Sequence, residues 1–436
     1  MLKLFRKNKI FRDAEKKTLN APIDYNFAPK EIYLTACEVA LSVGAAVRVG
    51  EKIGCGTDKM PIYSGISGEV SEIVKVSDNE YRVKIENDLS GSVSDSVVPF
   101  GKENNVKVTD LTPEILIDVI EKSSIRTRGR QIAFSERDIC QRIKDSFGIA
   151  NRIIINCVGG EPYDTSVRRI LAENGEDLIN GMKIIMAAMK IGEAAVLLDS
   201  ENREEANLLS GMLMPSDNVK IVLADPSYPA DNEHSAVYTL TLTELSRARN
   251  AERAKYVVFD IRETVSIARA FVYGERETGE VVTLSGEGFD SPKNVYLPYG
   301  TKISELADYA DISKDENIKI LVGGVLRGRE AALEDLFIAG MSPVVALREK
   351  DIPRFDGIIC TKCAECMRAC PMLLMPMYLS FAGKTHKKKM GKRFGVDFCI
   401  ECGICQYVCP SGIPILENIR KIKNVCENTA EGGGDK

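Results

Sequence analysis

The sequence predicts a multidomain chain of α/β plus β class that closes on a cysteine-rich module, and three observations predict it. Short strand-like runs punctuated by turn residues extend from about Ala21 to Lys107. From Leu111 to about Ile261, helical periods alternate with apolar strands. Near the C-terminus, CTKCAECMRACP from Cys360 and CIECGICQYVCP from Cys399 repeat one cysteine spacing.

The first segment reads as a small β domain from EIYLTA, AAVRVGEKIG, PIYSGISGEVSEIVKV and YRVKIEN, each too short and too turn-bounded for a helix. The second segment carries PEILIDVIEKS, RIIIN, EDLINGMKIIMAAMKIG, AAVLLD, VKIVLAD and KYVVFD, an order that predicts a mostly parallel sheet under helices. After the apolar strand RIIIN comes CVGGEPYDTSVRRIL, where Gly159 and Gly160 permit close backbone approach and Thr165 or Ser166 suits a helix cap. A strand, glycines and a helix start favour a nucleotide or phosphate site, with an ordinary strand-to-helix turn as the equal alternative.

Each cysteine run has the form C-x2-C-x2-C-x3-C-P, which is similar to the bacterial two-cluster ferredoxin arrangement. The resemblance implies that the fourth cysteine of each run ligates the other cluster. Cys360, Cys363, Cys366 and Cys409 would then hold one 4Fe-4S centre, and Cys399, Cys402, Cys405 and Cys370 the second. Structural zinc is the weaker reading, because zinc ribbons use two separated C-x2-C pairs. Two neighbouring clusters imply electron transfer. The apolar PMLLMPMYLSF, Pro371 to Phe381, is too short to span a bilayer and is expected to pack over the clusters or to start a helix.

Composition bounds the rest. With 436 residues, 44% hydrophobic and 28% charged, the chain is of ordinary globular type and long enough for about three domains. A formal net charge of −5 argues against a general nucleic-acid binder, and without a run of 18 apolar residues no transmembrane segment is expected. The cysteines outside the two runs, Cys37, Cys55, Cys140, Cys157 and Cys426, are odd in number and lack framework spacing, which fits a reducing cytoplasm. Only His234 and His386 are available for histidine acid–base catalysis. His386 lies in the basic KTHKKKMGKR, a solvated face that could also dock an acidic redox partner. The start, MLKLFRKNKIFRD, reads as a frayed or locally packed terminus, with a short amphipathic helix as the alternative, and ENTAEGGGDK as a disordered tail.

NCVGGEPYDTS is similar to the Asn-x-x-x-Gly-Glu-Pro flavin loop of the NADH-binding subunit of respiratory complex I, and closer to the Rnf-complex relative of that protein, RnfC. VRVGEKIG followed by PIYSGISGEV resembles a lipoyl-like barrel-sandwich, with Gly50, Gly65 and Gly68 at its turns and no counterpart of the carrier lysine. VVTLSGEGFDSPKNVYLPYGTKISELADYA with KILVGGVLRG resembles the soluble-ligand-binding (SLBB) β-grasp module, with Gly286, Pro292 and Gly300 at turns and Gly323 and Gly324 closing a strand. The order of parts resembles the RnfC family, which also takes in a microcompartment cobalamin reductase and an electron-transfer protein associated with proline reductase. It implies a barrel-sandwich at 21–108, a complex-I-flavoprotein-like α/β domain at 111–262, an SLBB β-grasp domain at 263–350, a two-cluster ferredoxin at 351–424 and a tail at 425–436.

The resemblance carries FMN to Asn156, Gly160, Glu161 and Tyr163, and the departures from it weaken the flavin. Where flavin-binding relatives have a glycine-rich loop, this chain reads SSIRTRGRQIAFSERDI, with Arg126, Arg128 and Arg130 around the single Gly129. SYPADNEHS lacks the glycine of the family's YP segment. Direct NADH oxidation is therefore expected to be lost, with FMN binding left open. Three readings follow: an iron–sulfur relay between a redox donor and a soluble reductase or membrane-bound Rnf-type complex, an FMN enzyme that feeds electrons from NADH to the clusters, or a subunit of a larger assembly that its clusters merely stabilise. Each would work in the cytoplasm of an anaerobe, at a membrane periphery or in a microcompartment.

Overall fold

Every residue of the strand Arg152–Cys157 after the first is buried, as a strand covered on both faces requires. It is the centre of a four-stranded parallel sheet in the order Val219–Ala224, Ala194–Asp199, Arg152–Cys157, Tyr256–Asp260. Ile153, Ile155 and Cys157 point to the larger core with the helices Gly175–Met189 and Ile261–Tyr273, while Ile154 meets Ala236 and Val237 of the helix Glu233–Thr241 on the other face. Gly181 lets the two larger helices touch: a Cβ there would lie 2.0 Å from the Thr264 carbonyl oxygen. The computed structural model describes residues 5–6, 17–103, 107–126, 139–224, 227–241, 255–313 and 317–427.

Ahead of this domain, two small sheets form one β unit. The larger runs Glu31–Ala36, Glu80–Asn87, Gly68–Ser77, Ala46–Val47; the smaller runs Glu38–Val39, Lys52–Cys55, Pro61–Tyr63. Alternate residues Ile32, Leu34, Val83 and Ile85 meet Ile53 and Val70 in a shared core, the period-2 outcome of an amphipathic strand pattern. After the α/β domain comes a mixed sheet in the order Arg329–Ala331, Ile318–Val322, Val344–Arg348, Gly279–Ser285, Lys293–Pro298, Ile23–Asp24. Its central strands Gly279–Ser285 and Val344–Arg348 are parallel, and the helix Ile303–Tyr309 covers one face through Ile303, Leu306 and Ala307. The cysteine-rich module holds the short helices Glu365–Ala369 and Ile404–Tyr407 and the longer Pro376–Lys384 and Ile415–Glu427.

Several expectations change in detail. Ile23–Asp24 pairs with the mixed sheet rather than with the first β unit, and the helix Ile261–Tyr273 belongs to the α/β core although the expected boundary falls at its start. Thr165 does take the N-cap position of the helix Ser166–Glu173 but makes no side-chain capping bond: its hydroxyl goes to Asn294 Oδ1, 3.0 Å off, and the Ser166 N–H is instead met by Asp164 Oδ1 at 3.0 Å. At the N-terminus, Phe5–Arg6 is a two-residue strand paired with Ser227–Tyr228 instead of helix. Arg128, Gly129 and Arg130 and the tail from 428 lie outside the described residues. Pro376–Lys384 is the helix expected to begin within the apolar PMLLMPMYLSF.

Glu31 ties the first β unit to the mixed sheet. It accepts from Tyr33 Oη at 2.6 Å and pairs with Lys84 at 2.9 Å and with Lys302 at 3.2 Å. Burial alone would raise its pKa, but hydrogen bonds from Tyr33, Lys84 and Lys302 outweigh that and bring it down from 4.5 to about 2. A carboxylate depressed in the native state contributes stability above its unfolded pKa and loses it as pH falls toward the native value. Hydrogen exchange of Glu31–Ala36 should therefore accelerate, relative to a Glu31→Gln variant, as pH drops from 4.5 toward about 2.

Candidate electron-transfer site

The two cysteine runs fold alike. Each passes through two left-handed residues at matching positions, Lys362 and Ala364 in the first (φ 56° and 64°), Glu401 and Gly403 in the second (φ 49° and 74°). That curl turns backbone N–H groups inward: Lys362 donates to Cys360 Sγ and Glu401 to Cys399 Sγ, both at 3.4 Å. Cys360, Cys363, Cys366 and Cys409 line one cavity; Cys370, Cys399, Cys402 and Cys405 line another. Each cavity thus receives three cysteines of one run and the last cysteine of the other.

The two surroundings differ. Cys360 and Cys363 are exposed, whereas Cys370, Cys402 and Cys405 are buried. Burial pushes the Cys370 thiol up to about 11, so a thiolate there requires a cation in place of the proton. Beside the inner quartet, the buried Lys423 donates to the Cys399 carbonyl at 2.8 Å and to Glu401 at 2.7 Å, and Arg420 pairs with the other Glu401 oxygen at 3.0 Å. Gly403 is glycine for a second reason: a Cβ would stand 1.9 Å from the Leu326 carbonyl of the mixed-sheet domain.

The loop that carries the flavin resemblance sits at the carboxyl end of the parallel strands, where open α/β sheets bind ligands. Here its groups are already engaged within the chain. Asn156 Nδ2 donates to the Ala230 carbonyl at 3.1 Å, and Asn156 Oδ1 accepts from Val158 N–H at 3.2 Å. Glu161 has no exposed surface at all (0%). One of its oxygens accepts from Arg327 Nε at 2.8 Å and faces Tyr228 Oη at 3.1 Å; the other accepts from the Leu326 N–H at 3.2 Å. Arg327 also pairs with Asp231, and its guanidinium lies 5.2 Å from the Tyr228 ring centroid. Burial alone would lower the Arg327 pKa, but Asp231, Tyr228 and Glu161 together raise it, so the guanidinium stays charged. Tyr163 adopts φ 69°, packs against Val345 and Leu347, and directs its hydroxyl to Glu287 at 3.4 Å; burial first, then Glu287, raises its pKa to about 12.

The space is closed as well as paired. A Cβ on Gly160 would fall 2.1 Å from the Asp231 carboxylate, and one on Gly324 (φ 101°) 2.3 Å from Glu161. Among the described residues, then, Asn156, Gly160 and Glu161 do come together, but around Asp231 and Arg327 and not around an open cradle. As placed among the described residues, Asn156 and Glu161 make these hydrogen bonds inside the chain. Tyr228 carries the network onward, its hydroxyl 2.7 Å from the carbonyl oxygen of Cys402. Nothing in the sequence singles out Arg327, Asp231, Tyr228 or Lys423 as site residues. The departure at SYPADNEHS marks the place of Asp231, and VLRG after Gly324 offers a cation, yet nothing local says that these loops meet.

A parallel α/β domain joined to paired four-cysteine cavities defines an iron–sulfur electron-transfer protein. The comparisons agree. The Nuo51 FMN-binding domain family matches residues 120–269 and the 4Fe-4S dicluster domain family residues 352–410. The chain is similar to RnfC-type subunits and, in its α/β domain, to the complex I flavoprotein, and these matches support an iron–sulfur electron-transfer subunit. It is 24% identical over 413 residues to the RnfC-type component of the ion-translocating oxidoreductase complex of Buchnera aphidicola subsp. Acyrthosiphon pisum, covering 92% of this chain and 85% of that one. It is 28% identical over 232 residues to the corresponding component of the proton-translocating ferredoxin:NAD(+) oxidoreductase complex of Clostridium ljungdahlii, covering 53% of this chain and 50% of that one. In fold it is similar to an NAD+-reducing [NiFe]-hydrogenase in the H2-reduced state, with TM-score 0.50 and 15% identity over 77% of this chain and 66% of the other. Among the described residues no helix is long and apolar enough to cross a membrane.

Removing the guanidinium from this network leaves two carboxylates facing each other in the interior. Arg327→Met should cost about 3–5 kcal/mol, the usual penalty for stranding a buried charge, read as an early unfolding transition in urea. A combined Arg327→Met, Glu161→Gln, Asp231→Asn variant should recover much of that loss.

Proposed function

We propose that this chain is a one-electron relay. In this reading Cys360, Cys363, Cys366 and Cys409 hold a solvent-side 4Fe-4S cluster, and Cys370, Cys399, Cys402 and Cys405 hold an inner one against the α/β domain. A 4Fe-4S cluster supplies reversible one-electron storage when bound. The chain contributes the rest: inward N–H groups at Lys362 and Glu401, a buried ammonium at Lys423, and the burial of Cys370, Cys402 and Cys405. The observation that carries the reading is the crossed sharing of cysteines between two cavities, one reached through the exposed Cys360 and Cys363 and the other lined by the buried Cys370, Cys402 and Cys405.

The parts ahead of the ferredoxin serve as a scaffold. The two-sheet arrangement around Ile32, Ile53 and Val70 supports the barrel-sandwich reading of the first unit, and the hairpin, crossing helix and parallel central pair support the SLBB β-grasp reading of the mixed sheet. The α/β domain has lost the open flavin position to Arg327 and Asp231 and docks the inner quartet instead. The partners on this reading are a redox donor and a reductase, either soluble or the membrane-bound complex to which RnfC-type relatives belong, with the chain at that complex's periphery. The family match to an FMN-binding domain, together with the flavin-loop resemblance at Asn156 to Tyr163, favours the flavoenzyme reading.

Anaerobic purification with iron, sulfide and flavin analysis separates the two. The relay should contain about eight irons from two clusters and no stoichiometric flavin, bleach with dithionite and leave NADH unoxidised. Cys409→Ala should remove the cluster nearest Cys360 and spare the other. Stoichiometric FMN with bleaching by NADH would establish the flavoenzyme.

A further inference from the structure

The face around Cys360 and Cys363 combines two features that nothing in the fold requires. Ile358 and Ile359 directly precede Cys360 and are 82% and 80% exposed; Phe381, across the same cavity, is 49% exposed. Isolated exposed apolar residues are ordinary, but Ile358 and Phe381 line one opening and Ile359 adjoins Ile358 in the chain, which makes a patch. The patch is rimmed by cations. Between residues 358 and 393 stand eight Lys or Arg and one acidic residue, Glu365, in a chain whose formal net charge is −5. Lys362 and Lys384 line the cavity itself, Lys384 Nζ lies 3.4 Å from the Ile358 carbonyl, and Lys387 sits 5.6 Å over the Phe381 ring. Arg368 is answered by Glu365, whereas Lys384, Lys387, Lys389, Lys392 and Arg393 meet no carboxylate among the described residues.

We infer that this face is the docking surface for an acidic one-electron redox protein, whose own centre would come to rest over the Cys360–Cys363 opening. The inference rests on the relay reading and adds the entrance, the partner's charge and the residues that select it. Charge supplies the choice of occupant: a cationic rim accelerates encounter with an acidic surface, and an apolar centre releases water once the two meet. Position supplies the rest, since Ile358, Phe381, Lys362 and Lys384 share their cavity with the exposed ligand candidates Cys360 and Cys363, while Cys370, Cys402 and Cys405 of the inner quartet are buried. A lipid surface would meet the same charge, yet it has no electron to give to the opening that the patch surrounds.

The test uses the full, cluster-loaded chain and a reduced acidic two-cluster ferredoxin as probe, mixed anaerobically in stopped flow over a range of ionic strength. Lys384→Glu with Lys387→Glu and Lys389→Glu should slow the second-order reduction at least tenfold at low salt and flatten its salt dependence. Ile358→Ser with Ile359→Ser should slow it several-fold at every salt concentration. Iron content and photoreduction by a neutral deazaflavin should be unchanged in both variants, which separates docking from folding and from the clusters. Rates equal to those of the parent chain would overturn the inference and leave the relay standing. So would binding to phosphatidylserine vesicles that charge reversal abolishes while the ferredoxin rate stays put, because the face would then belong to a membrane. A parent chain without clusters would bring down the relay and the docking face together.

Discussion

A carboxylate that no water reaches must be answered by the protein around it, and Glu161 is that carboxylate here. Its partners come from three separate stretches: Leu326 and Arg327 from the mixed-sheet domain, Tyr228 from the short strand Ser227–Tyr228, and, through the Tyr228 hydroxyl, Cys402 from the second cysteine run. The three-way junction between α/β domain, mixed sheet and ferredoxin module is built around satisfying one buried charge. Gly160, Gly324 and Gly403 are the contacts at which backbone must come closer than a side chain permits. Arg327 then faces two acids, Glu161 and Asp231, and a ring, and Arg420 fixes the loop from below by donating to the Arg327 carbonyl at 2.6 Å.

That junction explains the asymmetry between the two cysteine quartets. The inner quartet is pressed against the Leu326–Arg327 loop and ringed by buried charge in Lys423 and Glu401, surroundings that act on the potential of a bound cluster by dielectric and hydrogen bonding. The outer quartet has a surface loop, two exposed isoleucines and solvated lysines. A duplicated motif with equal spacing has thus been placed in two unequal environments, which is what a directed relay needs and a symmetric store does not.

Much of this is legible in the sequence, and unevenly so. The cysteine spacing is legible because ligands separated by two residues must lie on one curl of chain, and the run RIIIN because a strand buried on both faces has to be continuously apolar. The loss of a glycine in SYPADNEHS points to a changed flavin site. What replaces it is not legible: Asp231 and Arg327 are 96 residues apart, and their pairing depends on how two domains dock. Thr165 makes no capping bond for the same reason, since its hydroxyl is taken by Asn294 from another sheet. The exposed Ile358 and Ile359 read like any apolar pair until the fold shows what they surround.

The central claim is that the chain's own ion network fills the position at which its relatives' resemblance would put a flavin. The direct measurement adds FMN anaerobically to the cluster-loaded chain, at protein-like concentration, and follows flavin fluorescence and retention on ultrafiltration. Flavin that stays fluorescent and passes into the filtrate is the expected result. Flavin retained one-to-one and quenched would mean that Glu161, Asp231 and Arg327 part to admit it, and the closed site would have to be abandoned.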